Sequence, residues 1–216
     1  MSEKPKLTLF HYWRSSASWR VRWGLAIKKV PHEEIAVNLL KSEEKLSEYT
    51  SQNPSGYVPC LVSPGKISLG ESLAILEWLE ETYPEPSFFV GDSYLRARIR
   101  QLAETVNSGI QPLHNMDVLK KFSEDKDKQA EWARHWILRG MRVFEDLLGA
   151  TDRAGKKFSV ADQPTLADIC LIPQCFAANR FGVDLSQFSQ CKAIYDHALT
   201  TEECKASAPD FFQPKD

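Results

Sequence analysis

Strand-forming sequence is confined to the front of this chain. Over about the first 84 residues, β-branched and aromatic runs alternate with amphipathic helical stretches. From Tyr94 onward only helical spacing recurs. Leu7-Thr8-Leu9-Phe10-His11-Tyr12-Trp13 reads as a first strand, and Trp19, Trp23, Ala26, Ile27 and Val30 follow at helical intervals. Glu33 to Leu39 reads as a second strand. Polar, helix-compatible sequence from Ser42 to Ser51 and the turn Asn53-Pro54-Ser55-Gly56 come next. Val58–Ser63 and Lys66–Leu69 form a hairpin pattern around Pro64-Gly65, and Glu71-Ser72 open a helix with Leu73, Leu76, Leu79 and Tyr83 on one face. The order βαβαββα predicts a small mixed sheet covered by helices.

Pro84-Glu85-Pro86-Ser87 is a natural linker, so the expected domains are 1–84 and 85–216. In the second, Ile99, Leu102, Val106, Ile110 and Leu113 trace a long helix, bent or broken near Gly109 and Pro112. Trp132, Trp136, Ile137, Met141, Phe144 and Leu148 trace another, closed by Gly149. Thr165-Leu166-Ala167-Asp168 is a capping box with the shorter acid, ahead of the apolar run Ile169-Cys170-Leu171-Ile172. This half reads as all helix.

Composition narrows the function classes. The 216 residues, 43% of them hydrophobic, suffice for a real core. A net charge of −2 gives no support for a nucleic-acid or membrane-surface partner. No run approaches the ~18 apolar residues of a membrane span, and the start lacks the apolar stretch of a secretory signal. Five cysteines without a C-x-x-C read as reduced thiols, and the five histidines do not join them at zinc-like spacing. The expectation is a cytoplasmic protein without a metal site.

Ser15-Ser16-Ala17-Ser18-Trp19-Arg20-Val21-Arg22 sits where the first strand gives way to the first helix. Unpaired amides and the positive dipole end favour an anion there, and a thiolate is one such anion. Plain helix capping by serine is the competing reading.

The domain order resembles that of the cytosolic glutathione transferases: an α/β thioredoxin-like N-terminal domain, then an all-α domain. Within them, Ser15–Arg22 is similar to the zeta-class signature Ser-Ser-Cys-x-Trp-Arg-Val-Arg, a class that includes the maleylacetoacetate isomerases. Further matches run in register: Asn53-Pro54, Val58-Pro59, Glu71-Ser72-Leu73-Ala74-Ile75, and Ile110-Gln111-Pro112-Leu113 with Asn115. Thr165–Asp168, Asn179-Arg180-Phe181 and Val183-Asp184-Leu185 continue the series. Three positions depart from the pattern. Ala17 replaces the signature cysteine, Glu71 stands where glutamine is frequent, and Cys60 follows the proline in place of threonine.

The resemblance implies glutathione as cofactor and a homodimer acting on a small molecule. A free cysteine thiol titrates near ~8.5, so the first task is to favour the thiolate. Ser15 is the expected donor to the sulfur, with Ser16 and the Ala17 amide assisting. Pro59 is expected in the cis form, exposing the Val58 backbone to pair with the tripeptide like an added strand. Ser72 and the helix it opens would receive the γ-glutamyl carboxylate, Glu71 the ammonium group and Lys45 the glycyl end. Gln111 and Asn115, read as four apart on one helix, would line the wall opposite Ser15. Arg180, and less directly Arg14, would hold substrate carboxylates through paired hydrogen bonds. Arg20 and Arg22 are expected to fasten the first helix, His114 to be surface or local structure, and the tryptophans to be packing.

The implied activity is glutathione-dependent cis–trans isomerisation of maleylacetoacetate to fumarylacetoacetate, a step of tyrosine and phenylalanine breakdown. Two rivals stand beside it: a transferase conjugating or dehalogenating other small electrophiles, and a noncatalytic interaction module of the same fold.

Overall fold

The computed structural model of the chain describes residues 6–214, apart from Ile67 and Asp152. It divides into two compact units, one formed by 1–86 with 202–216 and the other by 87–201.

In the first unit, β1 (Leu7–His11) is central, flanked by β2 (His32–Ala36) in parallel and β3 (Cys60–Val62) antiparallel. A parallel neighbour requires a crossover, supplied by α1 (Ser16–Ile27). Leu7, Leu9 and His11 of β1 alternate into the interior. Trp19, Val21, Trp23 and Leu25 of α1 are buried, and α3 (Ser72–Thr82) packs on α1 with Ile75, Leu76 and Leu79 buried. A short helix, α2 (Ser47–Thr50), and two 3₁₀ turns precede β3.

The second strand of the expected hairpin is smaller than its pattern suggests. It contributes one antiparallel bridge, Leu61 to Leu69, closed by two backbone hydrogen bonds of 2.8 Å. Ile67 lies outside the described residues. The edge β2 also differs from an ordinary buried strand, because four of its five residues are exposed.

The tail departs from the expected boundary. The residues from Glu202 onward, assigned to the helical domain by sequence, belong with the first unit as α9 (Glu202–Ser207) and α10 (Pro209–Phe212). The reason is chemical: Ser207 accepts hydrogen bonds from both Trp19 and Arg22 of α1.

The second unit has no strand among its described residues and is built on α4 (Ser93–Asn107), α5 (Met116–Phe122), α6 (Lys126–Gly149), α7 (Leu166–Arg180) and α8 (Ser189–Ala198). Ile99, Leu102 and Val106 of α4 pack with Ile137, Met141, Phe144 and Leu148 of α6 in its core. Its central α7 is buried from Leu166 to Cys175, as its all-round apolar composition requires. The capping box forms as expected. Asp168 accepts from the Thr165 amide and hydroxyl, each at 2.8 Å, and from the Ser159 amide at 2.8 Å. The long helix breaks where Gly109 and Pro112 place the break, between α4 and a 3₁₀ turn at Gln111–His114.

Candidate active site

Ser15 is the N-cap of α1, with extended backbone, and its Oγ accepts the Ser18 amide at 3.2 Å. That bond uses an oxygen lone pair and leaves the hydroxyl proton available for a ligand. Among the described residues, the amides of Ser16 and Ala17 find no acceptor. Ser18 Oγ is turned inward and accepts the Tyr12 amide at 3.3 Å. Capping by Ser15 therefore leaves its own hydroxyl proton and two neighbouring amides without a partner among the described residues.

The turn carrying Ser15 is tied down by a buried cation. The Ser15 amide donates to Tyr12 O at 3.0 Å. Arg22, 1% exposed, reaches back along α1 and donates to Tyr12 O at 3.4 Å and Trp13 O at 3.0 Å. Its third partner in this region is His11 Nδ1, at 3.0 Å. A guanidinium can only donate, so Nδ1 must carry the lone pair. Burial, then the Arg22 charge, pulls the His11 pKa down to about 4, which keeps the ring neutral. Burial likewise lowers Arg22 to about 9. Arg22 thus fastens the first helix, as its sequence position implies.

A second wall lies at Val58-Pro59, whose peptide bond is cis. Tyr57 O, just before it, is held by the Tyr49 hydroxyl and by Asn53 Nδ2 at 2.7 Å. Asn53 was legible only as a turn residue; its anchoring role depends on the folded loop. Among the described residues neither the amide nor the carbonyl of Val58 has a hydrogen-bond partner, which leaves one backbone donor and one acceptor able to pair with a peptide. Cys60 is fully buried beside it, and burial pushes its thiol above the usual range, so it is packing rather than a nucleophile.

The third element is the start of α3. Ser72 is 4% exposed, and its Oγ accepts from Arg20 Nη1 at 3.2 Å. Arg20 sits one turn into α1, so one buried side chain joins the two helix starts. Glu71 is exposed and holds φ 61°, ψ 113°, a conformation that is costly for a residue with a side chain. Lys45 is exposed on a 3₁₀ turn.

In the helical unit, Gln111 and Asn115 do not share a helix face. Gln111 starts the 3₁₀ turn, whereas Asn115 is extended and caps α5 by accepting the Asp117 amide at 3.2 Å. The break at Pro112 removes the 3.6-residue repeat on which that pairing depends. His114 is buried rather than superficial, with Nε2 3.1 Å from Gln174 Oε1 and its ring 5.5 Å from Phe181. Its partner lies 60 residues away in sequence, so no local pattern announces it. Arg180 is exposed at the end of α7, and Arg14 lies with its guanidinium 5.6 Å from the Trp13 ring. Among the described residues no cluster suited to a metal ion occurs, and no helix is long and apolar enough to cross a membrane.

Similarity to known proteins follows these features. The glutathione S-transferase N-terminal domain family matches residues 9–87. Maleylacetoacetate isomerase of Dictyostelium discoideum is 43% identical over 209 residues, covering 94% of each chain. The structure of maleylacetoacetate isomerase from Anaeromyxobacter dehalogenans with glutathione in its active site is 41% identical, with TM-score 0.86 over 96% of both chains. A bacterial maleylpyruvate isomerase of the zeta class aligns at TM-score 0.89 and 36% identity, over 94% of this chain and 96% of its own. The chain belongs to the zeta-class glutathione transferase and maleylacetoacetate isomerase family.

Proposed function

We propose that this protein catalyses the glutathione-dependent cis–trans isomerisation of maleylacetoacetate to fumarylacetoacetate. The observation that carries the reading is the start of α1, where a hydroxyl with a free proton stands beside two amides that find no acceptor among the described residues. The open Val58 backbone and the α3 N-terminus supply the donors and acceptors a tripeptide needs. When bound, glutathione supplies a sulfur nucleophile that adds to the activated double bond, permits rotation and leaves unconsumed.

The chain's own residues have separate tasks. Ser15 donates a hydrogen bond to the sulfur and stabilises its charged form, assisted by the Ser16 and Ala17 amides. Ser16 is the second candidate donor. Val58 pairs with the peptide backbone through its amide and carbonyl, next to Pro59. Ser72 and its helix take the γ-glutamyl carboxylate, Glu71 the ammonium and Lys45 the glycyl end. Gln111 and Asn115 are assigned to glutathione or the second substrate, and Arg180 or Arg14 to substrate carboxylates. Binding and thiol activation supply most of the acceleration, since no paired general acid and base is evident in the motif. Family resemblance supports a homodimer working in the cytoplasm in tyrosine and phenylalanine breakdown.

The test is maleylacetoacetate isomerisation with and without glutathione. We expect turnover only with glutathione, and a fall of about 10- to 100-fold for Ser15→Ala, the worth of one hydrogen bond to a charged atom. Conjugation of other electrophiles without isomerisation would overturn the assignment.

A further inference from the structure

We infer that the C-terminal segment Glu202–Phe212 positions the thiol-activating turn, acting through Arg22; this rests on the function proposed above. Arg22 has two sides. Toward the turn, its guanidinium holds the carbonyls of Tyr12 and Trp13, the third and second residues before Ser15. Toward the tail, its Nε donates to Ser207 O at 2.9 Å, and the Phe212 ring lies 4.6 Å from its central carbon. The same ring meets His11 edge-on, with centroids 5.2 Å apart. A second tie runs in parallel: Trp19 Nε1 donates to Ser207 Oγ at 3.2 Å.

Arginine has five N–H donors in a rigid plane, and here they point in fixed, opposed directions. Removing the tail's acceptor and ring would leave a buried cation short of partners and free to tilt, and its other bonds hold the turn. The Tyr12 carbonyl accepts both Arg22 and the Ser15 amide, so a tilt is transmitted directly to the residue that faces the sulfur. Ser207 and Phe212 are positioning residues; neither is placed against the ligand.

Phe212→Ala tests this, with Phe212→Tyr as the variant that keeps a ring over the guanidinium. Hydrogen exchange on the ligand-free protein reads the coupling itself. The Ser15 and Ser18 amides should exchange faster in Phe212→Ala and at the wild-type rate in Phe212→Tyr. With glutathione added, the Ala variant should show a bound-thiol pKa raised by ~0.5–1 and kcat lowered about 3- to 10-fold, consistent with loss of one cation–π contact. Its KM for glutathione should change less than kcat, and Phe212→Tyr should restore both values. Unchanged Ser15 and Ser18 exchange in a folded Phe212→Ala protein would overturn the inference, whatever happens to its thermal stability. A wild-type protein that fails to bind glutathione would instead overturn the proposed function, and the exchange measurement would still decide the coupling.

Discussion

Ser15 has one oxygen and one proton for the two jobs proposed for it. Its lone pair caps α1 through the Ser18 amide, and its hydrogen is not used by that bond. Ser15→Ala should cost about 1 kcal/mol of stability as a lost cap, while Ser15→Thr should keep both cap and donor. Comparing the melting temperature and kcat of the two variants separates the roles. Close by, His11 carries a pH dependence. Its folded pKa of about 4 lies below the ordinary histidine value of 6.5, so the unfolded chain binds more protons between those limits. Stability should therefore fall as pH drops from 6.5 toward 4, and this contribution should level off below 4. His11→Gln should flatten that part of a urea-denaturation series against pH; an unaltered slope would remove His11 as the cause.

Elements in this protein are placed by a few close approaches and by their ends. Gly140 of α6 faces Ile110, where an added Cβ would collide with the Ile110 side chain. Helical Gly→Ala changes usually stabilise, but here overpacking should dominate, and Gly140→Ala should destabilise by about 1–3 kcal/mol. Asp168 is fully buried and receives two amides and a hydroxyl. Asp168→Ala strands those donors and should cost about 2–4 kcal/mol in chemical denaturation, with Asp168→Asn recovering part of it. This capping box was readable from four adjacent residues because its chemistry is local. So was the break near Gly109 and Pro112. The form of that break was not: a 3₁₀ turn followed by a fresh cap separates Gln111 from Asn115, and tertiary packing rather than propensity decides between the two helix types. The cis bond at Pro59 was legible only through the family resemblance, because local sequence by itself favours the trans form. Arg20 with Ser72, Asn53 with Tyr57 and His114 with Gln174 were not, since each pairing exists only after folding.

At the scale of the molecule, the change from mixed strand and helix to helix alone marks the two units to within two residues at Pro86. The return of the tail to the first unit left no trace in periodicity, because Ser207 and Phe212 find partners 185 and more residues back in the chain. All five cysteines are buried, so none competes with an outside thiol at the surface. The folded protein should react slowly with a water-soluble disulfide reagent and expose all five thiols in denaturant. Rapid modification of the native protein would contradict that burial. The proposed function rests on a sulfur held as its anion at the start of α1. The direct measurement is ultraviolet thiolate absorbance of bound glutathione, titrated against pH for wild type and Ser15→Ala. The account predicts a wild-type midpoint below the ~8.5 of a free cysteine thiol and a rise of ~1–2 in the variant. Identical midpoints in two folded, glutathione-binding proteins would contradict it.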